Sequence, residues 1–422
     1  MRVAIYTQHF VGVGHHVRSL RVARAFARSH QVRVFDGGRP FHGAGGLDGA
    51  LCVQLPAVVK GERGLEPFAR GESLDRTMQA RTRLLGEGLR ALRPDLLVVE
   101  SFPFSRWAFR EEIFGAMRLV RALDPGARIA CSIRDVPRAS QAATHGPVQE
   151  WDSTRGRPVP LQSDDDHLDR VPDLLNEHFD ALLVHGDPNL TRLEDHFPWV
   201  PRLSIPVHYT GYVCGQPVPA CLPSTPVSRH PLVVVSVGGG VDGQQLLSVA
   251  AQAWGRLAGD RKTGAGTMVL FGGAFMDEHS MAPVAEICRR NGAILRPFST
   301  DFEAVLAGAD LSISRAGYNT VAALLAAGVR AIVLPSKNLY DQSFRAPRLH
   351  ERGLAVTCEE SGLSAERLAG MIADALARPA PRHRLDLDGA RTTVRIAEAL
   401  VAGDLAGAHA ISVAAPPAAV AR

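Results

Sequence analysis

The chain has no CxxC pair, no apolar run of about 18 residues, and no stripe of lysine and arginine. Each absence removes a class of protein. The six cysteines, at 52, 131, 214, 221, 288 and 358, are scattered, and several lie in apolar runs. That pattern argues against metal clips and disulfides and fits reduced thiols in a cytoplasmic protein. Without a long apolar run no membrane-spanning helix is expected, and MRVAIYTQHF reads as a strand entering a loop rather than a secretion leader. The net charge of +4 is mild and dispersed, so nucleic acid is not an expected partner.

What remains is a soluble-type composition, 46% hydrophobic and 21% charged over 422 residues. A chain of that length predicts two domains of roughly 200 residues each. In the first half, apolar runs at Val3–Tyr6, Val32–Phe35, Leu51–Leu55, Leu96–Val99, Arg128–Ser132 and Ala181–Val184 alternate with helical patterns over 16–29, 74–92, 106–123 and 172–178. Alternation of this kind predicts right-handed βαβ units and a parallel sheet. The polar stretch from Arg138 to Asp169 is expected to be a mobile loop on the acceptor side. Residues 214–231, dense in proline, read as a linker.

A second alternating half follows, with strands at Val233–Val237, Thr267–Phe271, Ala293–Arg296, Leu311–Ser314, Ala331–Leu334 and Ala355–Thr357. The expected fold class is therefore α/β. The expected domains are 1–213 and 232–382, both Rossmann-like and doubly wound, followed by a helix over 383–405 packing back on the first and a disordered tail over 406–422.

Three glycine turns follow predicted strands: Gly12-Val13-Gly14 leading into His15 and His16, then Gly238-Gly239-Gly240, then Arg315-Ala316-Gly317. One such turn is weak evidence, because tight strand-to-helix packing explains it; three in register with βαβ units point to ligands. Main-chain N–H groups after Leu311–Ser314 would meet an anion at the positive end of the next helix. Asp341 and Gln342 are expected on a loop at the carboxyl end of the following strand, where open parallel sheets bind ligands. His15, in a glycine loop at a helix start, has its neutral form favoured and is a candidate general base; a capping histidine is the plain alternative. His16 could replace it on spacing, and Arg18 lies one turn on. The aromatic group Phe102, Phe104, Trp107 and Phe109 reads as core or as the wall of an apolar acceptor site. Asp164-Asp165-Asp166 reads as a solvated acidic loop rather than a manganese site.

SRAGYNTVAALLAAG, followed by Asp341-Gln342, resembles the donor half of the MurG-like glycosyltransferases. Gly14-His15 with Leu20, Val22 and Ala23 is similar to that family's first glycine loop, Val237 to Gly240 to its second, and Thr210 to Val213 to its crossing between domains. The resemblance implies a GT-B fold, two Rossmann-like domains facing across a cleft, and metal-independent, cofactor-free, inverting transfer. A hexose or N-acetylhexosamine would move from a nucleotide diphosphate sugar, UDP-linked by analogy, to a small-molecule, lipid or carrier-bound hydroxyl, with peripheral membrane contact left open.

Carried over by position, His15 is the base. Gly14, Gly238, Gly239, Gly240, Arg315, Ala316, Gly317, Asn319 and Thr320 line the diphosphate and sugar, Asp341 and Gln342 bond sugar hydroxyls, and His16, Arg18, Phe102 and Phe104 face the acceptor. Ala323 stands where the family has a ribose-binding glutamate. Gly12 to Arg18 is also similar to the GxGHxxR loop of nucleotide-sugar hydrolases, so hydrolysis of the same donor is one alternative; a noncatalytic partner of another transferase is the second.

Overall fold

The computed structural model describes residues 1–10, 14–40, 50–61, 64–137, 149–152, 157–160, 168–215, 230–239, 243–259, 266–274, 276–299, 302–336 and 339–413. The chain divides into two compact units. Leaving aside residues 11–14, which group with the second, the first comprises residues up to Val213 together with Asp388–Arg422; the second runs from Cys214 to Leu387.

In the first unit the order is β1 (Arg2–Thr7), α1 (Gly14–Ala27), β2 (Gln31–Asp36), β3 (Ala50–Gln54), a small hairpin of β4 (Val58–Gly61) and β5 (Gly64–Pro67), α2 (Leu74–Leu92), β6 (Leu96–Glu100), α3 (Arg110–Leu123) and β7 (Arg128–Arg134). Then come β8 (Gln149–Asp152), β9 (Arg157–Pro160), α4 (Val171–His178), β10 (Ala181–His185) and β11 (Val207–Tyr209). Seven strands form one sheet in the order β11-β10-β7-β6-β1-β2-β3, and every neighbouring pair is parallel. Alternate residues of β1 serve opposite faces: Ala4 and Tyr6 join one buried cluster, Val3 and Ile5 another. A strand buried on both faces needs an unbroken apolar run, which is why these segments are legible as strands.

The second unit contains β12 (Leu232–Ser236), α5 (Gln244–Gly259), β13 (Thr267–Phe271), α6 (Glu278–Arg290), β14 (Ile294–Arg296), α7 (Phe302–Ala307), β15 (Leu311–Ser314), α8 (Tyr318–Ala327), β16 (Arg330–Val333), α9 (Tyr340–Glu351), β17 (Val356–Thr357) and α10 (Ala365–Ala377). Its parallel sheet has the order β14-β13-β12-β15-β16-β17. Val233 and Val235 of β12 pack with Leu246, Leu247 and Trp254 of α5. Gly328 ends α8 with φ +60° and open space where a Cβ would stand. Gly328→Ala therefore meets backbone strain alone and should cost about 1 kcal/mol in denaturant unfolding.

Three expectations need correction. The tail is not irregular from residue 406, because Leu405–Val413 forms a helix, α12, after α11 (Gly389–Val401). Its alanines and glycines show no polar face in the sequence, yet Ala408 is buried beside Val394, Ile396 and Leu400, and Ser412 Oγ accepts the Tyr209 N–H at 2.9 Å. The stretch from 138 to 169 is not wholly irregular either, since β8 and β9 pair antiparallel. Strands of only four residues, one of them RPVP with two prolines, carry too little alternation to be recognised. Residues 138–148, Asp164-Asp165-Asp166 and most of the expected linker lie outside the described residues. Thirdly, Asp341 and Gln342 occupy the first turn of helix α9 rather than a loop; Pro347 inside that helix hides its periodicity.

Candidate functional site

In an open parallel sheet the ligand crevice forms where successive connections leave in opposite directions. In the first unit that point lies between β1 and β6, and β1 leads into the turn before α1. His15, on the first turn of α1, and Glu100, the last residue of β6, meet there: Nδ1 lies 2.6 Å from Glu100 Oε1. The same carboxylate oxygen accepts from Arg18 Nη2 and from Ser101 Oγ, each at 2.5 Å. Ser101 holds φ +65°, a backbone region rarely occupied by non-glycine residues and frequent where a site is held under strain.

Burial, partly opposed by Glu100 and reinforced by Arg134 and Arg106, pushes the His15 pKa down to about 4. Glu100 is itself buried, but the hydrogen bonds and charges of His15, Arg18 and Arg106 hold its carboxyl well below the usual range. An ionised Glu100 accepts, so His15 Nδ1 carries the proton and Nε2 presents a lone pair. The His15 side chain is 16% exposed, so it is not sealed in the core.

Neighbouring candidates take other roles. His16 pairs with Asp36 at 2.7 Å, at the end of β2, so it does not duplicate His15. Arg18 is buried on Glu100, where it fixes the carboxylate. Phe102 and Phe104 are corrected from acceptor-side to core: Phe102 is fully buried with edge contacts to Trp107 and Phe114, and Phe104 stacks edge-on against Phe197. Glu100, Ser101 and Arg106, whose Nε donates to the Gln8 carbonyl at 2.7 Å, were not among the expected site residues. The one available signal was a carboxylate closing the apolar run LLVVE.

The second unit repeats the logic between β12 and β15, which pair through Ser236 and Ser314. The turn after β12 includes Gly238, at φ +74° with open space around its Cα, and Gly239; Gly240 lies outside the described residues. After β15, Gly317 caps α8 with no side chain accepting the first N–H groups. Those N–H groups and the positive helix end are the kind of feature an anion can be held by. Asn319 and Thr320 are half-buried on the same first turn.

Arg315 turns its guanidinium to Glu360 Oε1 (2.6 Å) and the Leu334 carbonyl (3.3 Å). The Ala316 carbonyl accepts from Arg345 Nη1 at 2.7 Å, and Arg345 in turn pairs with Asp341 at 3.3 Å. Gln342 Oε1 accepts the Ser336 N–H at 3.0 Å, with its amide nitrogen beside Gly317. Arg345, fully buried and four residues after Asp341, is a further member that the sequence reading missed. Ala323 is buried in α8 and has no polar side-chain atom for a ribose.

Residues 234–385 match the Glycosyltransferase family 28 C-terminal domain. A UDP-N-acetylglucosamine--N-acetylmuramyl-(pentapeptide) pyrophosphoryl-undecaprenol N-acetylglucosamine transferase of Corynebacterium efficiens is 31% identical over 175 residues, 41% of this chain and 46% of that protein. Its counterpart in an Azoarcus species is 47% identical over 87 residues, 20% of this chain and 24% of the other. The chain thus spans less than half the length of these curated relatives.

Among solved structures, the glycotransferase of kitacinnamycin superposes with a TM-score of 0.55 at 16% identity over 97% of each chain. MurG of Acinetobacter baumannii gives 0.50 at 17% identity over 94% of this chain and 99% of its own. The solved structures establish the fold, two Rossmann-like units of GT-B type, and the family match over residues 234–385, together with the curated relatives, bears out the resemblance to the MurG-like group. No described helix is long and apolar enough to cross a membrane.

Proposed function

We propose, from a second unit whose residues 234–385 match the Glycosyltransferase family 28 C-terminal domain and a first unit carrying a histidine–glutamate pair, that this chain is an inverting glycosyltransferase. It moves a hexose or N-acetylhexosamine from a nucleotide diphosphate sugar to a hydroxyl acceptor. The observation that carries the reading is the 2.6 Å pair of His15 Nδ1 and Glu100 Oε1 at the first unit's switch point. Glu100 holds the ring so that Nε2 takes the acceptor proton as that oxygen attacks the sugar C1. The C1–O bond to the diphosphate breaks on the opposite face, and configuration inverts.

The leaving diphosphate carries its charge onto the N–H groups at the start of α8 and the glycine turn after β12, so the transfer step needs no metal at the phosphates. UDP is the favoured nucleotide because the matched relatives bear UDP-N-acetylglucosamine in their names. Asp341 and Gln342 are the candidates for sugar hydroxyls. The acceptor is a small molecule, a lipid or a carrier-bound intermediate, and the compartment is the cytoplasm.

The test is release of UDP from UDP-hexoses and UDP-N-acetylhexosamines by the full chain, with and without a panel of hydroxyl acceptors, and the product's anomeric configuration read by NMR. Acceptor-dependent release with inversion is the expected result. Equal release of free sugar without acceptor would make the protein a hydrolase, and donor binding without turnover would make it a noncatalytic partner. In the same assay Glu100→Gln should lower kcat about tenfold or more while leaving donor KM unchanged, because it weakens the orientation and charge of the base; it also removes the charge that buried Arg18 pairs with, so the melting temperature should fall as well.

A further inference from the structure

His9, His16 and Asp36 come from three separate segments of the first unit: the exit of β1, the first turn of α1 and the last residue of β2. All three are buried, at 0%, 5% and 1% exposure, and their donor atoms lie within 4.8 Å of one another. Thr7 and Asp36 are register partners, so the parallel pairing of β1 and β2 itself brings His9 beside the carboxylate.

The tautomer of His9 is set by its surroundings. Nε2 lies 3.1 Å from the Arg39 carbonyl oxygen, which can only accept, so Nε2 carries the proton and Nδ1 of the neutral ring is a bare lone pair. That lone pair faces Asp36 Oδ1 at 3.4 Å and makes no hydrogen bond among the described residues. Two buried electron-pair donors facing each other repel unless a proton or a cation lies between them. A histidine that binds metal through one ring nitrogen commonly gives its other ring N–H to a carboxylate, a main-chain carbonyl or water, and the Arg39 carbonyl takes that place for His9.

We propose that His9 Nδ1, the His16 imidazole and the Asp36 carboxylate form a site for one divalent transition-metal ion of the zinc class. Two nitrogens and one oxygen suit zinc or cobalt; magnesium and calcium require more oxygens. The 3.4 Å between His9 Nδ1 and Asp36 Oδ1 is the separation of two ligands about 2.1 Å from a tetrahedral ion. His16 Nδ1, at 2.7 Å from Asp36 Oδ2, has to retreat by some tenths of an ångström to admit the metal. The ion ties the first turn of α1 to the ends of β1 and β2, and so steadies the turn that carries His15. It takes no part in the transfer chemistry proposed above, and its failure would leave that reading intact.

The untagged full chain, stripped with a chelator and titrated with cobalt(II), should take up one equivalent with the visible absorption of a four- or five-coordinate ion, displaced by one equivalent of zinc. His9→Gln and Asp36→Asn, each verified as folded by circular dichroism, should weaken cobalt binding by roughly 10²-fold or more. Should both variants unfold, imidazole ¹⁵N spectra of the wild type decide: zinc should shift the nitrogens of two histidines, one of which keeps its Nε2–H. A wild type that takes up no stoichiometric cobalt, binding undiminished in the folded variants, or no imidazole shift on zinc addition would overturn the site and leave a proton-bridged cluster in its place.

Discussion

His15→Ala is expected to lower turnover by roughly 10²-fold or more while leaving the affinity for the nucleotide sugar nearly unchanged. The two effects separate because the groups assigned to the donor, around Gly238 and Arg315–Gly317, belong to the second unit, whereas His15 stands at the switch point of the first. The fold should tolerate the change. His15 is partly exposed, and Glu100 keeps its bonds from Arg18 and Ser101 when the imidazole is removed. Steady-state kinetics with varied donor, beside calorimetry with the nucleotide alone, checks both halves. Parallel loss of donor affinity and melting temperature would mean that the ring is a structural prop rather than a base.

Arg81→Met should destabilise the first unit by about 3–5 kcal/mol, because it strands a buried carboxylate. Arg81 on α2 is fully buried and grips Glu112 of α3 through Nε at 3.0 Å and Nη2 at 2.8 Å. The guanidinium also donates to the carbonyls of Gly37 (2.9 Å) and Pro56 (3.1 Å) and to Gln8 Oε1 (2.9 Å), and it lies over the Phe109 ring. Tyr6 contributes its hydroxyl to Glu112 at 2.6 Å. A Cβ at Gly37 would collide with Arg81 and Gln8, so the glycine there is a packing requirement. For a unit of this size the loss corresponds to a melting point lower by roughly 10 °C. The double variant Arg81→Met/Glu112→Leu should recover only part of it: the charge is gone, but Tyr6, Gln8 and two carbonyls still lack their partners. Full recovery would mean that the charge alone carries the effect.

The fold was readable because its central strands are buried on both faces and some of its helices carry a side-chain cap. Ser73 accepts the Arg76 N–H ahead of a helix whose Leu85, Leu89 and Leu92 keep the helical period, and the predicted span 74–92 matches the observed one. Leu311–Ser314 and Thr267–Phe271 match as well, each an apolar run between turn signals. Helix α9 escaped recognition because Pro347 breaks its pattern, and with it went the buried Arg345 that joins Asp341 to the Ala316 carbonyl. Glu100 escaped for a different reason: a carboxylate at the end of a strand acquires meaning only when β6 lies beside β1, and the pairing of Val3 with Leu96 across the intervening chain is a tertiary fact. Phe102 and Phe104 show the converse, since an aromatic run after a strand looks the same in sequence whether it walls a ligand or fills a core.

The apolar face of Val3 and Ile5 is covered by Val394, Ile396 and Leu400, which the ribosome delivers almost four hundred residues later. The amino-terminal unit therefore cannot finish folding during synthesis until the whole intervening unit has been made. A fragment cut at Val213 would expose an uncovered hydrophobic surface and aggregate, whereas the segment Cys214–Leu387 is continuous and is the natural piece to express by itself.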